Sequence, residues 1–412
     1  MDRLLGLDWL RAVAAILVVF LHAAMPYLVH PFPGLVWAVQ PVEQSPAVDL
    51  IAWTINTFIM PLFFLMNGYF AARLLQKSGE SKFLRHRLNR LGGPFLFAAI
   101  VILPMDLYTW LLGWVGDELI PINKLRSLKI KGELGDSLQG VSHLWFLQYV
   151  LLYCVAACGI SWVIRRFVAS QQSPQVLQIQ ERQSSATWRF KWSIMAIAIV
   201  VAGATLWWQP RIVIGFRHHW LPMWENVLYY SIPFALGWFW DSWGPRLIDG
   251  PQLRRTAVTH LIIACGFFIV LWPELCLHLE NETIPVQRAQ VPFLFAATGI
   301  ATSTGLFAGA LSMKLMQIPE AVRYLSRASF WIYLFHHPVV GLVQINLKPF
   351  QVTPFTKCLL TTGISLGICL LTYEGLVRKT WIGLLLNGVK EGTQNRVIPT
   401  VLPEETPARR AA

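Results

Sequence analysis

The chain has 412 residues, of which 55% are hydrophobic and only 14% are charged, and its formal net charge at pH 7 is +12. Soluble domains carry about 25% charged residues, so this composition excludes an ordinary soluble protein and indicates a polytopic membrane protein. The basic residues lie in short segments between apolar runs instead of one basic patch interleaved with aromatic residues, so we expect no nucleic-acid partner.

Apolar runs of about twenty residues predict the transmembrane helices of an all-α bundle. About ten such runs occur, at 9–29, 48–72, 94–115, 143–164, 192–209, 224–243, 256–275, 291–313, 328–347 and 355–376. An even number of spans places both termini on one side of the membrane. The loops on that side hold most of the Lys and Arg outside the runs, which predicts that both termini are cytoplasmic.

Composition divides the chain into a membrane domain at 1–378 and a cytoplasmic tail at 379–412. The tail has no hydrophobic periodicity and too little apolar content to pack, so we expect disorder there. A Gln- and Ser-rich segment at 169–187 is typical of a flexible linker. The segment 116–142 mixes both charge signs with Gly and Pro, which predicts a solvent-facing loop that could meet a polar substrate.

The first apolar run contains two ionisable residues, Arg11 and His22. Eleven positions are about three helical turns, so both side chains share one face, with the imidazole about 16 Å deeper along the axis. Because ionisable groups in hydrocarbon are costly, they usually mark a reaction centre or a pathway. The alternative is an Arg that snorkels to the interface and a His that only bonds a neighbouring helix. Asp8 lies at the same end as Arg11 and could pair with it.

Asn67 and Gly68 interrupt the helical character of the second run, and Arg87 and Arg90 follow shortly after it. The two arginines are neighbours on a helical turn at the same mouth as Arg11. Planar guanidinium groups bind phosphate oxygens bidentately, so the cluster indicates a phosphate site. The alternative is ordinary positive-inside charge.

Polar aromatic residues also begin the fourth run, at His143 and Trp145, and lie within the ninth, where His336 and His337 precede Pro338. Imidazoles in hydrocarbon need partners or water, which predicts a polar cavity, with helix packing as the alternative. Adjacent helical residues face different directions, so we expect at most one of the pair to line a given site. The sequence has no zinc-type ligand spacing, and we expect no metal.

Two minor features concern the cysteines and the last run. Five of the six Cys lie in apolar runs and Cys276 is expected in a loop, so no disulfide framework is predicted.

Glu374 precedes Arg378 by four residues, the favourable orientation for an ion pair on a helix.

These elements resemble the acyltransferase 3 family of membrane O-acyltransferases. LDWLRAVAAILVVFLH resembles the Arg-x10-His motif of its first helix, FFLMNGYF its Phe-Phe-x-x-Ser-Gly-Tyr segment, and RLNR its Arg-x-x-Arg element. Asn67 stands where the family often has Ser. SHLWFL, ASFWIYLFHHPV and the pair Tyr373-Glu374 extend the resemblance to about Arg378.

The resemblance implies a membrane O-acyltransferase of the bacterial inner membrane. It implies transfer of an acyl group, taken as succinyl, from cytoplasmic acyl-CoA to a hydroxyl of a periplasmic or cell-envelope glucan, with no bound cofactor. Arg11, Arg87 and Arg90 would hold the phosphates of CoA, and His22 would act as general base or as acyl carrier. The remaining candidate substrate or cavity residues are Asp8, Asn67, Tyr69, His143, Trp145, His336, His337 and Glu374.

A secondary transporter is the alternative function. Arg11, His22 and one of His336 and His337 would then form a proton or anion path. Transporters often have corresponding broken helices in two halves of the chain, and we find no such pattern in this sequence.

Overall fold

The computed structural model describes most of the chain. The described residues are 5–41, 43–130, 132, 134–135, 138, 140–168, 187–213, 219–240, 250–280, 290–313 and 318–387. Residues 169–186 of the predicted linker (169–187) and residues 388–412 of the predicted tail (379–412) therefore lie outside them. Helices dominate the described residues, and no strand occurs among them.

The described residues before position 169 form a series of helices. They are α1 (Leu5–Ala24), α2 (Pro46–Ser78), α3 (Glu80–Arg87), α4 (Gly93–Gly116), α5 (Lys124–Ser127) and α6 (Trp145–Val163). Short helical turns of other types join or extend them: a 3-10 turn at Met25–Tyr27, a π-helical turn at Leu88–Gly92, a 3-10 turn at Ser142–Leu144 and a π-helical turn at Ile164–Val168.

The described residues from position 187 onward form a further series of helices. They are α7 (Thr187–Trp208), α8 (Trp224–Trp238), α9 (Gly250–Glu280), α10 (Gln290–Ser312), α11 (Glu320–Leu347), α12 (Pro354–Thr372) and α13 (Trp381–Asn387). A 3-10 turn at Pro210–Ile212 follows α7, and a π-helical turn at Tyr373–Val377 extends α12.

The helices confirm an all-α polytopic membrane protein. Within the described parts of the chain, eight helical stretches are long and apolar enough to cross a bilayer. The two other predicted runs also form helices, but α8 has only 15 residues and the apolar stretch of α7, Trp192–Trp208, is likewise short. The number of ten spans and the cytoplasmic placement of both termini stay predictions.

Local signals explain where the long helices begin. At the start of α2, the Ser45 hydroxyl accepts a hydrogen bond from the Val48 amide, and Pro46 occupies the first helical turn. Thr353 accepts from the Thr356 amide at the start of α12, again followed by a proline. In both places the side chain satisfies an amide that has no partner within the helix.

Helix α1 packs against α2, α10, α11 and α12, so the side chains of its buried face all meet other helices. Helix α2 runs without a break through Asn67 and Gly68, so the expected interruption there is wrong. A Cβ at Gly68 would come within 2.0 Å of the Phe234 carbonyl oxygen, and one at Gly237 within 1.9 Å of the Leu65 carbonyl oxygen. These glycines allow α2 and α8 to approach closely, as small residues do in membrane helix pairs.

Two boundaries differ from the sequence-based expectation. Cys276 lies within α9, which continues to Glu280, so its placement in a loop is wrong; all six cysteines are unpaired, as expected. Helix α13 begins three residues after the predicted domain boundary at 378, and an Nη atom of Arg90 donates a hydrogen bond to the Leu386 carbonyl at 2.8 Å. Ordered structure therefore continues to at least residue 387.

Candidate active site

Two cavities meet along α1 inside the bundle. The arginine cavity, about 310 Å³, contacts α1 at Arg11, Ala15 and Val18. The histidine cavity, about 270 Å³, contacts α1 at Val18, Leu21 and His22 and the following 3-10 turn at Met25. The stripe predicted from the spacing of Arg11 and His22 therefore runs from one cavity into the other.

Positive charge dominates the arginine cavity. Arg87 and Arg90 reach it from the segment between α2 and α4, Arg327 from α11, and Arg11 from α1. His86 lies beside them, and no Asp or Glu lines this cavity among the residues that the structure describes. Four guanidinium groups around one space form a site that fits a ligand with several anionic oxygens.

Arg87 is the most informative member of this cluster. Its side chain is only 9% exposed, it stacks over Phe83 at 5.6 Å, and it makes no hydrogen bond or ion pair with any described residue. A buried cation without a counter-charge costs several kcal/mol, at an order-of-magnitude level. An anionic ligand would remove that cost, so Arg87 indicates an anion-binding site.

Arg11 combines cavity lining with protein contacts. An Nη atom of Arg11 lies 4.0 Å from Asp8 Oδ1, and another donates to Ser329 Oγ at 3.4 Å. Asp8 also accepts a hydrogen bond from Ser326. Asp8 thus pairs with Arg11, as the sequence suggested, and fixes the first turns of α1 against α11.

His22 and His336 form a hydrogen-bonded imidazole pair. His336 Nδ1 lies 2.9 Å from the carbonyl oxygens of Ile332 and Tyr333, which can only accept, so this nitrogen carries the proton. His336 Nε2 is then an acceptor, and it lies 3.2 Å from His22 Nδ1. His22 Nδ1 also lies 2.8 Å from the Val18 carbonyl, which assigns it a proton too.

This tautomer leaves the Nε2 lone pair of His22 available. Nε2 makes no hydrogen bond to a described residue, and His22 lines the histidine cavity. Gln344 donates to the carbonyls of His22 and Ala23, and Trp37 donates to Gln344 Oε1 at 2.7 Å. These bonds fix the end of α1 and orient an imidazole that is ready to accept a proton from a hydroxyl.

The buried carboxylate of Asp106 lies next to the imidazoles of the histidine cluster. Asp106 Oδ1 accepts from His337 Nδ1 at 2.6 Å, and Asp106 Oδ2 accepts from the Ser142 hydroxyl at 2.6 Å. The His143 ring stacks on the His337 ring with centroids 4.7 Å apart, and its Nε2 donates to the Leu334 carbonyl. Asp106 therefore fixes the tautomer of His337 and places a negative charge beside the histidine cluster.

Asp106, His143 and His337 each offer one ligand atom, and these atoms lie within 4.8 Å of one another. This spacing would accommodate a divalent cation. However, both carboxylate oxygens already accept short hydrogen bonds, so the cluster is satisfied by protein donors alone. The absence of a resident metal stays a prediction, which elemental analysis of the purified protein tests.

The expectation that only one residue of the His336-His337 pair would line a site is wrong. Both line the histidine cavity. They differ in the second cavity that each one lines. His336 also lines the arginine cavity, whereas His337 also lines a third cavity, which contacts Asp106 and Ser142.

The remaining candidates divide into two groups. Asn67 lines the arginine cavity and donates to the Phe63 carbonyl, and Trp145 lines the histidine cavity. Tyr69 packs edge-on against Phe307 and lines none of the three cavities. Glu374 likewise lines none of them; it pairs with Arg378 at 2.9 Å, as its spacing predicted.

Three residues of the site were not identified from the sequence. Asp106 could have been, because a carboxylate within the apolar run FAAIVILPMDLYTWLL is costly unless it has a partner. Arg327 and Tyr333 line the cavities from α11 but carry no comparable signal, because their positions near a helix end or among aromatic residues are ordinary for a membrane protein.

The site places buried histidines beside an anion-binding cavity within a bundle of membrane helices, an arrangement suited to acid–base chemistry on an anionic substrate. The acyltransferase 3 family, described as an acyltransferase domain, matches residues 4–374, and the chain belongs to this family. Similar proteins named glucans biosynthesis protein C occur in Salmonella schwarzengrund (strain CVM19633), 23% identical, and Salmonella agona (strain SL483), 24% identical. Each match covers 93% of this chain and 94% of the relative. No solved structure matches the chain.

Proposed function

We propose that this protein transfers a succinyl group from cytoplasmic succinyl-CoA to a hydroxyl of a periplasmic or envelope glucan, across the bacterial inner membrane. The observation that carries the proposal is Arg87, a buried guanidinium that has no counter-charge among the described residues, in an arginine cavity that adjoins the histidine cavity.

Coenzyme A suits the arginine cavity because its phosphates are multiply charged and its pantetheine arm is long and flexible. Arg11, Arg87 and Arg90 would bind the phosphates by charge-assisted hydrogen bonds, with Arg327 as a fourth contributor. The arm would extend along α1 toward His22, about 16 Å from Arg11 along the helix axis. The thioester carbon would then lie where the two cavities adjoin.

The acceptor hydroxyl would enter the histidine cavity. His22 Nε2 would remove its proton as the oxygen attacks the thioester carbonyl, which is general-base catalysis. The other role open to His22 is that of a transient acyl carrier, since imidazole is also a nucleophile. The name of the similar Salmonella proteins supports a glucan as the acceptor.

The test is transfer in reconstituted vesicles. Labelled succinyl-CoA is supplied on one side and a linear glucan on the other, and ester-linked label on the glucan is measured by mass spectrometry. We expect covalent transfer that requires both substrates and the protein. Movement of label across the membrane without ester formation would instead favour the secondary transporter, and transfer from another donor alone would remove the role of CoA.

A further inference from the structure

We propose that His336 is a second proton-carrying residue of the reaction, which passes the acceptor's proton from His22 in the histidine cavity to the leaving thiolate in the arginine cavity. This inference rests on the proposed function.

Such a connection suits acyl transfer because the proton starts and ends in different places. The acceptor O–H bond breaks, the ester C–O bond forms and the thioester C–S bond breaks. The proton lost by oxygen equals the proton gained by sulfur, so the reaction balances without another reactant. If the acceptor occupies the histidine cavity and the donor the arginine cavity, direct transfer of the proton from oxygen to sulfur takes it across the wall between them.

That shared wall contains few groups able to carry a proton. Its residues are Val18, Phe63, Phe146, Tyr333 and His336. The first three have no titratable group, and the Tyr333 hydroxyl donates to the His143 carbonyl at 2.7 Å. His336 is fully buried, lines both cavities and bonds to His22.

The hydrogen bonds give the order of transfer. His22 Nε2 takes the hydroxyl proton, and His22 Nδ1 passes its own proton across 3.2 Å to His336 Nε2. His336 then gives this proton from Nε2 to the thiolate as it leaves and returns to its neutral form with the proton on Nδ1. His22 is left with its proton on Nε2 and returns to its starting tautomer, with the proton on Nδ1, before the next turnover. His337 does not suit this role, because its Nδ1 bonds to Asp106 and it does not line the arginine cavity.

The experiment compares His336→Gln with wild type by single-turnover transfer from succinyl-CoA and from its selenium analogue. A selenol is far more acidic than a thiol, so its anion leaves without protonation. His260→Gln is the matched control, because His260 is also buried but bonds to Thr304 and lines none of the three cavities.

We expect His336→Gln to lose about 10²-fold in transfer from the thioester, the usual contribution of a positioned proton carrier. Most of that loss should disappear with the selenoester, while donor binding and the control variant stay near wild type. An equal loss with both donors, or no loss, overturns the proposal, and His336→Asn serves if the Gln variant does not fold. Absence of transfer by wild type would contradict the proposed function instead.

Discussion

His22 Nδ1 and His336 Nε2 lie 3.2 Å apart although 314 positions separate the two residues in the sequence. The bond joins α1 to α11 at the point where the arginine and histidine cavities adjoin. Long-range contacts of this kind form only when the whole bundle is assembled. The reactive geometry is therefore a property of the fold, although each imidazole is visible in the sequence.

The arginine cavity predicts the effect of removing single charges. Arg87→Gln and Arg90→Gln should each weaken succinyl-CoA binding by about 10- to 100-fold, since a hydrogen bond to a charged group contributes about 1.5–3 kcal/mol. Titration calorimetry on detergent-solubilised protein measures this affinity. Arg165→Gln is the control, because Arg165 is exposed, pairs with Glu80 and lines none of the three cavities. Unchanged affinity in both cavity variants would show that Arg87 and Arg90 do not bind the donor and only contribute positive charge to the cytoplasmic side.

Asp106 should act through its charge. Asp106→Asn keeps the shape of the side chain but removes the negative charge beside His337 and turns one of the two acceptor oxygens into a donor. We expect at least about a 10²-fold loss of single-turnover transfer, in line with the effect of positioned acid–base groups. Ser142→Ala removes only the neutral donor to the same carboxylate and should cost less. Near-normal transfer by Asp106→Asn would show that the negative charge of Asp106 has no role in the reaction.

The close approach of α2 and α8 predicts a strong difference between two glycines. Gly68→Ala places a methyl group about where the Phe234 carbonyl oxygen lies, so it should destabilise the protein by about 1–3 kcal/mol through overpacking. Gly363→Ala, in the middle of α12, meets nothing within 4 Å and should be neutral or slightly stabilising. Thermal unfolding in detergent measures both, and equal melting temperatures would contradict this packing.

His30, in the connection after α1, predicts a pH-dependent stability. Burial lowers the pKa of His30, but hydrogen bonds to Asp49 and Glu280 and their charges outweigh burial and raise the pKa above its ordinary value. This contribution to stability is fully present below the unfolded pKa of about 6.5 and is lost as the pH rises through the higher folded pKa. The melting-temperature difference between wild type and His30→Gln should therefore shrink with rising pH. A constant difference would show that His30 contributes only neutral contacts.

Much of the fold was predictable because membrane helices are long, apolar and separated by polar loops. Every predicted run lies on a helix. However, the run at 224–243 corresponds to a described helix of only 15 residues, which is shorter than a typical membrane span. The interruption expected at Asn67 and Gly68 was wrong because composition does not distinguish a helix-breaking glycine from one that admits a neighbouring helix.

The candidate site was predictable from the sequence where its residues lie on a single helix. Arg11 and His22 share α1, so their common face follows from helix geometry. The pairing of His22 with His336, and of His337 with Asp106, depends on how α1, α4 and α11 pack, which the sequence of each helix does not contain. Asp106 was overlooked although a carboxylate in an apolar run is a clear signal.

His22 is the residue on which the proposed acyl transfer depends most. Single-turnover transfer from labelled succinyl-CoA to glucan, in vesicles containing wild type or His22→Ala, measures its contribution, with donor binding and thermal unfolding measured on the same preparations. We expect at least about a 10²-fold loss of transfer with donor affinity and melting temperature nearly unchanged. Near-normal transfer by the folded His22→Ala protein, together with a lowered melting temperature, would show that His22 is structural and takes no part in the chemistry.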